Sequence, residues 1–312
     1  MTHFDDNPAI LPDQDANLPQ AKIHPEQPAP PAASLAGDPI SLAATVPAVA
    51  YEPQSSLPED VRVAWSWTHF IVFIFFAFSS FLVVQTGLAF YYAPHQRLSQ
   101  KQLEQYLLNK PQFLFGTNLL WYALIFLFLY VTLAVLRGVP FWSSLGWKKL
   151  KSNLAWGRRS PWAFFLSGCG LAIFVFAASA RVKGTENMPI QEVLKNRNAA
   201  MLLMAMAVLV APLVEETVFR GYLYPLFAKS FGIGPGIVVT GVLFGLMHGA
   251  QLGWTWGIVA LLILVGIVFT VARAYTGTVL ASFLLHLGYN SMIAVATIIG
   301  TRGFTQLPIG PR

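Results

Sequence analysis

Two adjacent glutamates in an apolar run are the first residues of this chain that could do chemistry. The run VLVAPLVEETVFRGYLYPLF contains Glu215, Glu216 and, four positions after the second glutamate, Arg220. Residues four apart share a helix face, so Glu216 and Arg220 are predicted to form an ion pair that orders the helix. Glu215 lies about 100° away around the helix and has no partner within it. An unpaired carboxylate of this kind is suited to act as a general base.

Two histidines and one asparagine are the other polar candidates inside apolar runs. His248 follows TGVLFGLM, whereas His286 and Asn290 lie in SFLLHLGYNSM, four residues apart and therefore on one helix face. An imidazole can donate, accept or ligate, and a carboxamide can donate to a developing oxyanion. Each histidine alone could equally be a structural residue bonded to a backbone carbonyl. Two of them, together with an unpaired Glu215, favour a reaction site.

The candidate residues suit hydrolysis by an activated water. No serine or cysteine stands out as a side-chain nucleophile beside a base, and the HExxH pattern of helical zinc proteases does not occur in the sequence. Glu215, His248 and His286 could hold Zn²⁺ in an open three-ligand site. The same three residues could also activate water without a metal, so the sequence leaves both alternatives open.

These residues lie on segments that are built for a lipid bilayer. The chain of 312 residues is 55% hydrophobic and 11% charged, whereas soluble domains are about a quarter charged. A bilayer core of about 30 Å needs about 20 helical residues. We predict an all-α polytopic membrane protein, a bundle of about seven (six to eight) transmembrane helices around a polar cavity. The predicted spans are 67–92, 118–136, 162–180, 200–227, 236–250, 254–274 and 278–300. The fourth is long enough to be kinked or split, and the fifth is short.

The charge distribution divides the chain and orients it. Residues 1–60 hold nine of the 14 acids and 11 of the 21 prolines, which predicts a disordered tail before a transmembrane domain at 61–312. Residues 137–161 hold six Lys and Arg and no acid, so the positive-inside rule predicts a cytoplasmic loop. Two spans precede that loop, which puts the tail in the cytoplasm as well. Basic residues near spans indicate topology and lipid contact, and we expect no nucleic-acid partner.

Three motifs of the chain resemble those of the CPBP family of intramembrane proteases, also called Abi or CAAX-protease-like proteins. Each motif is intact, and they occur in the family's order. The motifs are EExxxR at Glu215, Glu216 and Arg220, FxxxH at Phe244 and His248, and HxxxN at His286 and Asn290. The resemblance covers roughly residues 200–300, with a looser similarity in SSLGW at 143–147.

The resemblance implies an all-helical membrane fold of about eight spans that hydrolyses a peptide bond with activated water. It assigns Glu215 as the base, His248 and His286 as residues that position or polarise water, and Asn290 as support for the oxyanion. Glu216, Arg220 and Phe244 would support the site. Whether a divalent metal such as Zn²⁺ takes part stays open.

The family resemblance also bears on substrate and location. Eukaryotic members act on prenylated CAAX proteins, and bacterial members are linked to bacteriocin self-immunity or peptide maturation. We therefore expect a peptide or membrane-protein substrate and a location in the plasma membrane of a bacterium.

Two functions of other classes remain as alternatives. A catalytically silent scaffold or immunity-type protein could use the same cavity to bind a peptide or a lipid. A secondary transporter could use a Glu/His proton relay. A transporter favours internal repeats of its spans, and no such repeat is evident in the sequence.

Overall fold

A computed structural model describes residues 58–94, 98–150, 161–184 and 188–305. The first 57 residues, which hold almost all of the predicted disordered tail, lie outside this range, as do residues 151–160 of the predicted cytoplasmic loop. The tail and its boundary with the transmembrane domain therefore stay predictions.

The described residues form helices and no strand, which confirms the predicted all-α polytopic fold. In chain order the α-helices are α1 (Trp67–Tyr92), α2 (Gln100–Leu108), α3 (Pro111–Leu129), α4 (Phe141–Ser144), α5 (Pro161–Ser179), α6 (Pro189–Leu194), α7 (Arg197–Leu209), α8 (Ala211–Glu216), α9 (Tyr224–Phe231), α10 (Ile233–Met247), α11 (Trp256–Thr276) and α12 (Val279–Gly300). Two π-helical turns, Tyr130–Val135 and Thr217–Leu223, continue α3 and α8. Short 3₁₀ turns occur at Glu59–Val61 and Ala250–Leu252.

Six helical stretches of the described chain are long and apolar enough to cross a membrane. They are Trp67–Tyr92, Pro111–Val135, Pro161–Ser179, Arg197–Phe231, Trp256–Thr276 and Val279–Gly300. The shorter apolar helix α10 is a seventh candidate, in agreement with the predicted count of about seven.

The fourth span, Arg197–Phe231, is broken into several pieces, as its length suggested. Helix α7 ends at Leu209, and α8 begins at Ala211 with Pro212 in its first turn. Proline has no N–H to donate and clashes with the preceding turn, so it interrupts the helix there. The π-helical turn Thr217–Leu223 then follows α8 directly after Glu216. The motif EExxxR therefore lies across a junction between α-helix and π-helix.

Glycines allow two pairs of helices to pack backbone against backbone. A Cβ atom on Gly168 of α5 would meet the carbonyl oxygen of Leu285 in α12, and one on Gly288 would meet that of Phe165. On α10, a Cβ on Gly241 or Gly245 would lie 2.7 Å from a backbone nitrogen of α11. Small residues allow such close approach between membrane helices. These contacts fix α12 and α10, the two helices that carry the candidate histidines.

Candidate active site

The second glutamate of the pair lies in a fully buried network with Arg220. The Arg220 Nη1 atom donates to Glu216 Oε1 at 2.9 Å, and neither side chain is exposed. The other guanidinium nitrogens bind α11, with Nη2 donating to the Gly266 carbonyl at 2.8 Å and Nε donating to Thr270 Oγ1 at 3.3 Å. Arg220 thus pairs with one oxygen of Glu216 and ties the π-helical turn to α11.

Aromatic rings enclose the charge of Arg220. The guanidinium carbon lies 4.5 Å from the ring centroid of Phe244 and 5.2 Å from that of Phe269. A guanidinium over an aromatic face is attracted by the negative charge of that face. Phe244, the first residue of the FxxxH motif, therefore supports the site by covering this ion pair.

His286 links the two glutamates. Its Nδ1 atom lies 2.9 Å from Glu216 Oε1, and its Nε2 atom lies 3.8 Å from Glu215 Oε2. A carboxylate beside Arg220 can only accept, so we assign the ring hydrogen to Nδ1. The Nε2 atom of His286, which is the acceptor in this neutral tautomer, faces Glu215.

His248 reaches the same carboxylate from the C-terminal end of α10. Its Nδ1 atom lies 2.8 Å from the Phe244 carbonyl oxygen, and its Nε2 atom lies 4.0 Å from Glu215 Oε2. A carbonyl oxygen also only accepts, so Nδ1 again carries the hydrogen. The Nε2 nitrogens of two imidazoles, from α10 and α12, therefore point at one oxygen of Glu215.

The spacing of these groups suits a bridging water. Both distances to Glu215 Oε2, 3.8 and 4.0 Å, are too long for a direct hydrogen bond. A water that bonds to both groups spans such a gap. The side chains of Glu215 and His248 are 18% and 21% exposed, whereas Glu216 is sealed, so a water reaches the first glutamate and not the second.

Asn290 lies one turn beyond His286 on α12 and binds a neighbouring helix. Its Nδ2 atom donates to the carbonyl oxygen of Ala207 in α7 at 2.7 Å. This bond uses one of the two amide hydrogens and leaves the second for another acceptor. The predicted role of Asn290 at an oxyanion is therefore compatible with its position, and it stays a prediction.

The chemistry of the three donors suits zinc, but their spacing does not. Two unprotonated imidazole nitrogens and a carboxylate are typical zinc ligands, and tetrahedral bonds of about 2.0–2.1 Å separate ligand atoms by about 3.3 Å. The observed separations from Glu215 Oε2 are larger, at 3.8 and 4.0 Å. Within the described ranges, no group of three or more His, Cys, Asp or Glu residues has a geometry that could hold a metal ion. We therefore derive no step through a metal.

One further polar residue near Glu215 was not predicted. The Tyr122 phenol of α3 lies within electrostatic range of the Glu215 carboxylate, although the two belong to different spans. In the sequence, aromatic residues near the ends of apolar runs are typical of interfacial anchors. Nothing in the spacing of Tyr122 distinguishes it from such an anchor, which explains why it was missed.

A cleft lies between α3 and α7. It has a volume of about 560 Å³ and is lined by Pro111, Gln112, Asn196, Asn198, Met201, Leu202 and Ala205. A smaller space lies where Leu114 and Phe115 of α3 meet Leu203 and Met206 of α7. Residue numbers increase together along the two helices, so the helices run parallel. Tyr122 and Glu215 follow two to three turns beyond this smaller space.

Comparison with known protein families identifies the segment that carries the site. Residues 197–292 match the family model described as Rce1-like, type II CAAX prenyl endopeptidase. This segment of the chain belongs to the CAAX-protease-like family. The predicted resemblance is thus confirmed over less than a third of the 312 residues. No curated protein and no solved structure matches the chain.

The Rce1-like segment includes all three motifs, because it extends from the first residue of α7 to the middle of α12. The family is one of membrane endopeptidases, and six described helices are able to cross a bilayer. The chain is therefore an integral membrane protein whose relatives act on peptide bonds. The spans before residue 197, which include α3 and Tyr122, lie outside the Rce1-like segment.

Proposed function

We propose that this protein is an intramembrane endopeptidase in which Glu215 activates a water that His248 and His286 hold. One observation carries the proposal. The Nε2 nitrogens of two imidazoles converge on one oxygen of Glu215, at 3.8 and 4.0 Å, in a partly accessible site between apolar helices. Ionisable groups at membrane depth are costly, and they usually mark a functional site.

The tautomers define what the two histidines contribute. With hydrogens on Nδ1, each Nε2 atom can accept an O–H group of the water, and neither donates to an oxyanion. The water directs one hydrogen to Glu215 and the other to an imidazole. This arrangement turns an oxygen lone pair towards the carbonyl carbon of a bound peptide.

The reaction then follows general-base chemistry. Glu215 takes a proton from the water as its oxygen forms a bond with the scissile carbonyl carbon. The second amide hydrogen of Asn290 donates to the oxyanion, as oxyanion-hole donors do. Glu215 returns the proton to the leaving nitrogen as the C–N bond breaks. Glu216 does not react, and it holds His286 in the tautomer that accepts at Nε2.

The charge pattern supports the proposed orientation in a bacterial plasma membrane. The described part of the basic loop contains Arg137, Lys148 and Lys149. This loop also packs on the start of α12, where Thr278 Oγ1 donates to the Lys148 carbonyl oxygen at 2.6 Å. We place this loop in the cytoplasm by the positive-inside rule, together with the N-terminal tail. The substrate is a peptide or a membrane protein that reaches the site within the bilayer.

The test compares purified wild type with Glu215→Gln on a peptide library, with cleavage read by mass spectrometry. The glutamine keeps the shape of the side chain but cannot take up a proton. We expect wild type to cleave and kcat of the variant to fall about 10²–10⁴-fold, the range for general-base catalysis. Equal turnover by both proteins would end the mechanism. Binding without turnover in wild type, weakened in Glu215→Gln, would instead identify a scaffold.

A further inference from the structure

The chain immediately before α1 packs on the turn that follows the two glutamates. We call residues 58–66 the pre-α1 segment. Its Trp65 is 1% exposed and donates from Nε1 to the carbonyl oxygen of Tyr222 at 3.0 Å. The indole also stacks on the Tyr222 ring, with centroids 5.3 Å apart and planes 28° from parallel. Trp65 therefore holds both the backbone and the ring of Tyr222.

Tyr222 belongs to the π-helical turn Thr217–Leu223, which also contains Arg220. Isolated π-helical turns are rare within α-helices and depend on their surroundings, and they occur often at functional sites. A return of this turn to α-helical geometry would rotate the residues around it. The position of Arg220, and of the Glu216 carboxylate bound to it, therefore depends on what holds Tyr222.

The hydroxyl group of Tyr222 has a second partner at the start of α1. The Nδ1 atom of His69 lies 2.7 Å from this hydroxyl oxygen. Tyr222 itself is fully buried. Trp65 and His69 thus bind opposite ends of one residue in the π-helical turn.

The far end of the pre-α1 segment is anchored to α11. Arg273 is fully buried, and its Nη1 atom donates to Asp60 Oδ2 at 2.6 Å while Nη2 donates to the Asp60 carbonyl oxygen at 3.2 Å. Helix α11 also provides Gly266 and Thr270, the acceptors for Arg220. One helix therefore anchors both the pre-α1 segment and the ion pair beside the candidate active site.

Two further basic side chains bind the backbone between these anchors. Lys229 Nζ donates to the Val63 carbonyl oxygen at 3.2 Å, and Arg137 Nη1 donates to that of Ala64 at 2.5 Å. Val61 is 1% exposed and packs with Tyr224 and Ala228. The segment is thus fixed along its length by contacts with several helices.

We propose that the pre-α1 segment is a positioning element of the active site, with Trp65 as its positioning residue. Through Tyr222 it fixes the π-helical turn, and with it the Glu216–Arg220 pair that sets the tautomer of His286. This inference rests on the proposed function. It assigns a role in catalysis to residues that lie outside the Rce1-like segment and contact none of the reacting groups.

The principal test is Trp65→Phe, with Trp67→Phe as its matched control. Phenylalanine keeps an aromatic ring against Tyr222 but removes the N–H donor. Trp67→Phe also removes an indole hydrogen bond, since Trp67 Nε1 donates to Ser230 Oγ at 2.9 Å, but that bond is exposed and does not touch the π-helical turn. We expect Trp65→Phe to lower kcat about tenfold, the scale of one hydrogen bond, with KM within about twofold. Trp67→Phe should leave kcat unchanged.

A second variant and a second measurement separate positioning from folding. Asp60→Asn weakens the bond of the pre-α1 segment to Arg273 without touching Tyr222, and it should also lower kcat. Hydrogen exchange in detergent should rise in peptides that cover Thr217–Leu223 for Trp65→Phe and not for Trp67→Phe.

The outcomes distinguish this inference from the proposed function. Equal effects of the two tryptophan variants on kcat and exchange would overturn the inference, even where wild type cleaves and Glu215→Gln does not. Absence of cleavage by wild type would overturn the proposed function. In that case unchanged exchange at the π-helical turn would still overturn the positioning role, because exchange does not depend on turnover.

Discussion

At the scale of single residues, two neighbouring glutamates differ because their environments differ. Glu216 is fully buried and accepts from Arg220 and His286, so it is a fixed part of the framework. Glu215 is 18% exposed and faces two imidazole nitrogens across a gap that suits a water. A rotation of about 100° along the helix separates the two environments. Glu215 is therefore the one of the two that we propose as the base.

The buried ion pair gives a first prediction about stability. Arg220→Ala leaves Glu216 charged and without its cation in a sealed position, which should lower the free energy of unfolding by about 3–5 kcal/mol. Lys195→Ala is the control, because Lys195 pairs with Glu192 three residues away at an exposed position. That substitution should cost under about 1 kcal/mol. Melting temperature and yield in detergent measure both. A stable but inactive Arg220→Ala protein would make Arg220 a direct participant in the reaction.

Asn290 gives a second prediction, about the transition state. If its amide supports the oxyanion, Asn290→Ala should lower kcat about 10²–10³-fold with little change in KM. Asn118→Ala is the control, since the Asn118 amide donates to the Leu114 carbonyl oxygen at 2.8 Å within its own helix. Steady-state kinetics on one cleaved peptide give kcat and KM of wild type and both variants. A rise in KM with unchanged kcat would assign Asn290 to ground-state binding.

At the scale of helices, the site depends on close backbone contact between α5 and α12. Gly288 lies between His286 and Asn290 in the sequence, and a side chain there would meet the Phe165 carbonyl oxygen. The two helices can approach only because neither has a Cβ atom at the contact. The same glycines therefore determine how far α12 extends towards Glu215.

The third prediction is that Gly288→Ala separates these helices. Overpacking of this kind costs about 1–3 kcal/mol, and the shift of α12 should lower kcat as well as the melting temperature. Gly170→Ala on α5 is the matched control, because no atom lies within 4 Å of a Cβ at that position. This control should be neutral or slightly stabilising, given the better helix propensity of alanine. Wild-type activity and melting temperature in Gly288→Ala would contradict the packing argument.

At the scale of the whole molecule, the candidate site draws on spans from both parts of the chain. The motifs lie on the fourth span, α10 and α12, inside the Rce1-like segment. Residues before the Rce1-like segment provide the α3 wall of the cleft, Tyr122 and the pre-α1 segment. The early part of the chain therefore forms one wall of the cleft and contacts the π-helical turn, while the later spans carry the three motifs.

The fourth prediction concerns the cleft between α3 and α7 as the route to Glu215. Ala205→Trp would fill part of the lining and should raise KM about tenfold, a loss of about 1.4 kcal/mol in binding, with kcat little changed. Leu209→Trp is the control on the same helix, because Leu209 is 69% exposed and does not line the cleft. Kinetics with the peptide used above measures both variants. Equal KM values would show that substrate does not pass through this cleft.

The sequence alone determined the apolar spans and the pairs within each helix, because both depend on local composition and on a spacing of four residues. The first span was predicted at its observed bounds, 67–92, and the Glu216–Arg220 pair is present as expected. The second span was predicted from residue 118, yet its helix begins at Pro111. The polar residues Gln112 and Asn118 interrupt the apolar run there, whereas proline at the first helical position is favourable.

Tertiary structure decided which helix faces meet, and that is what makes a site from separate motifs. His286 and Glu216 are 70 residues apart, and their contact assigns the tautomer that leaves Nε2 facing Glu215. Tyr122 lies on another span and Trp65 precedes the first one, and no local pattern marks either of them. The spacing of residues along a helix shows which of them share a face. Which other helix packs on that face depends on backbone contacts such as those at Gly168 and Gly288. The candidate residues could therefore be named from local spacing, whereas their mutual orientation required the packed bundle.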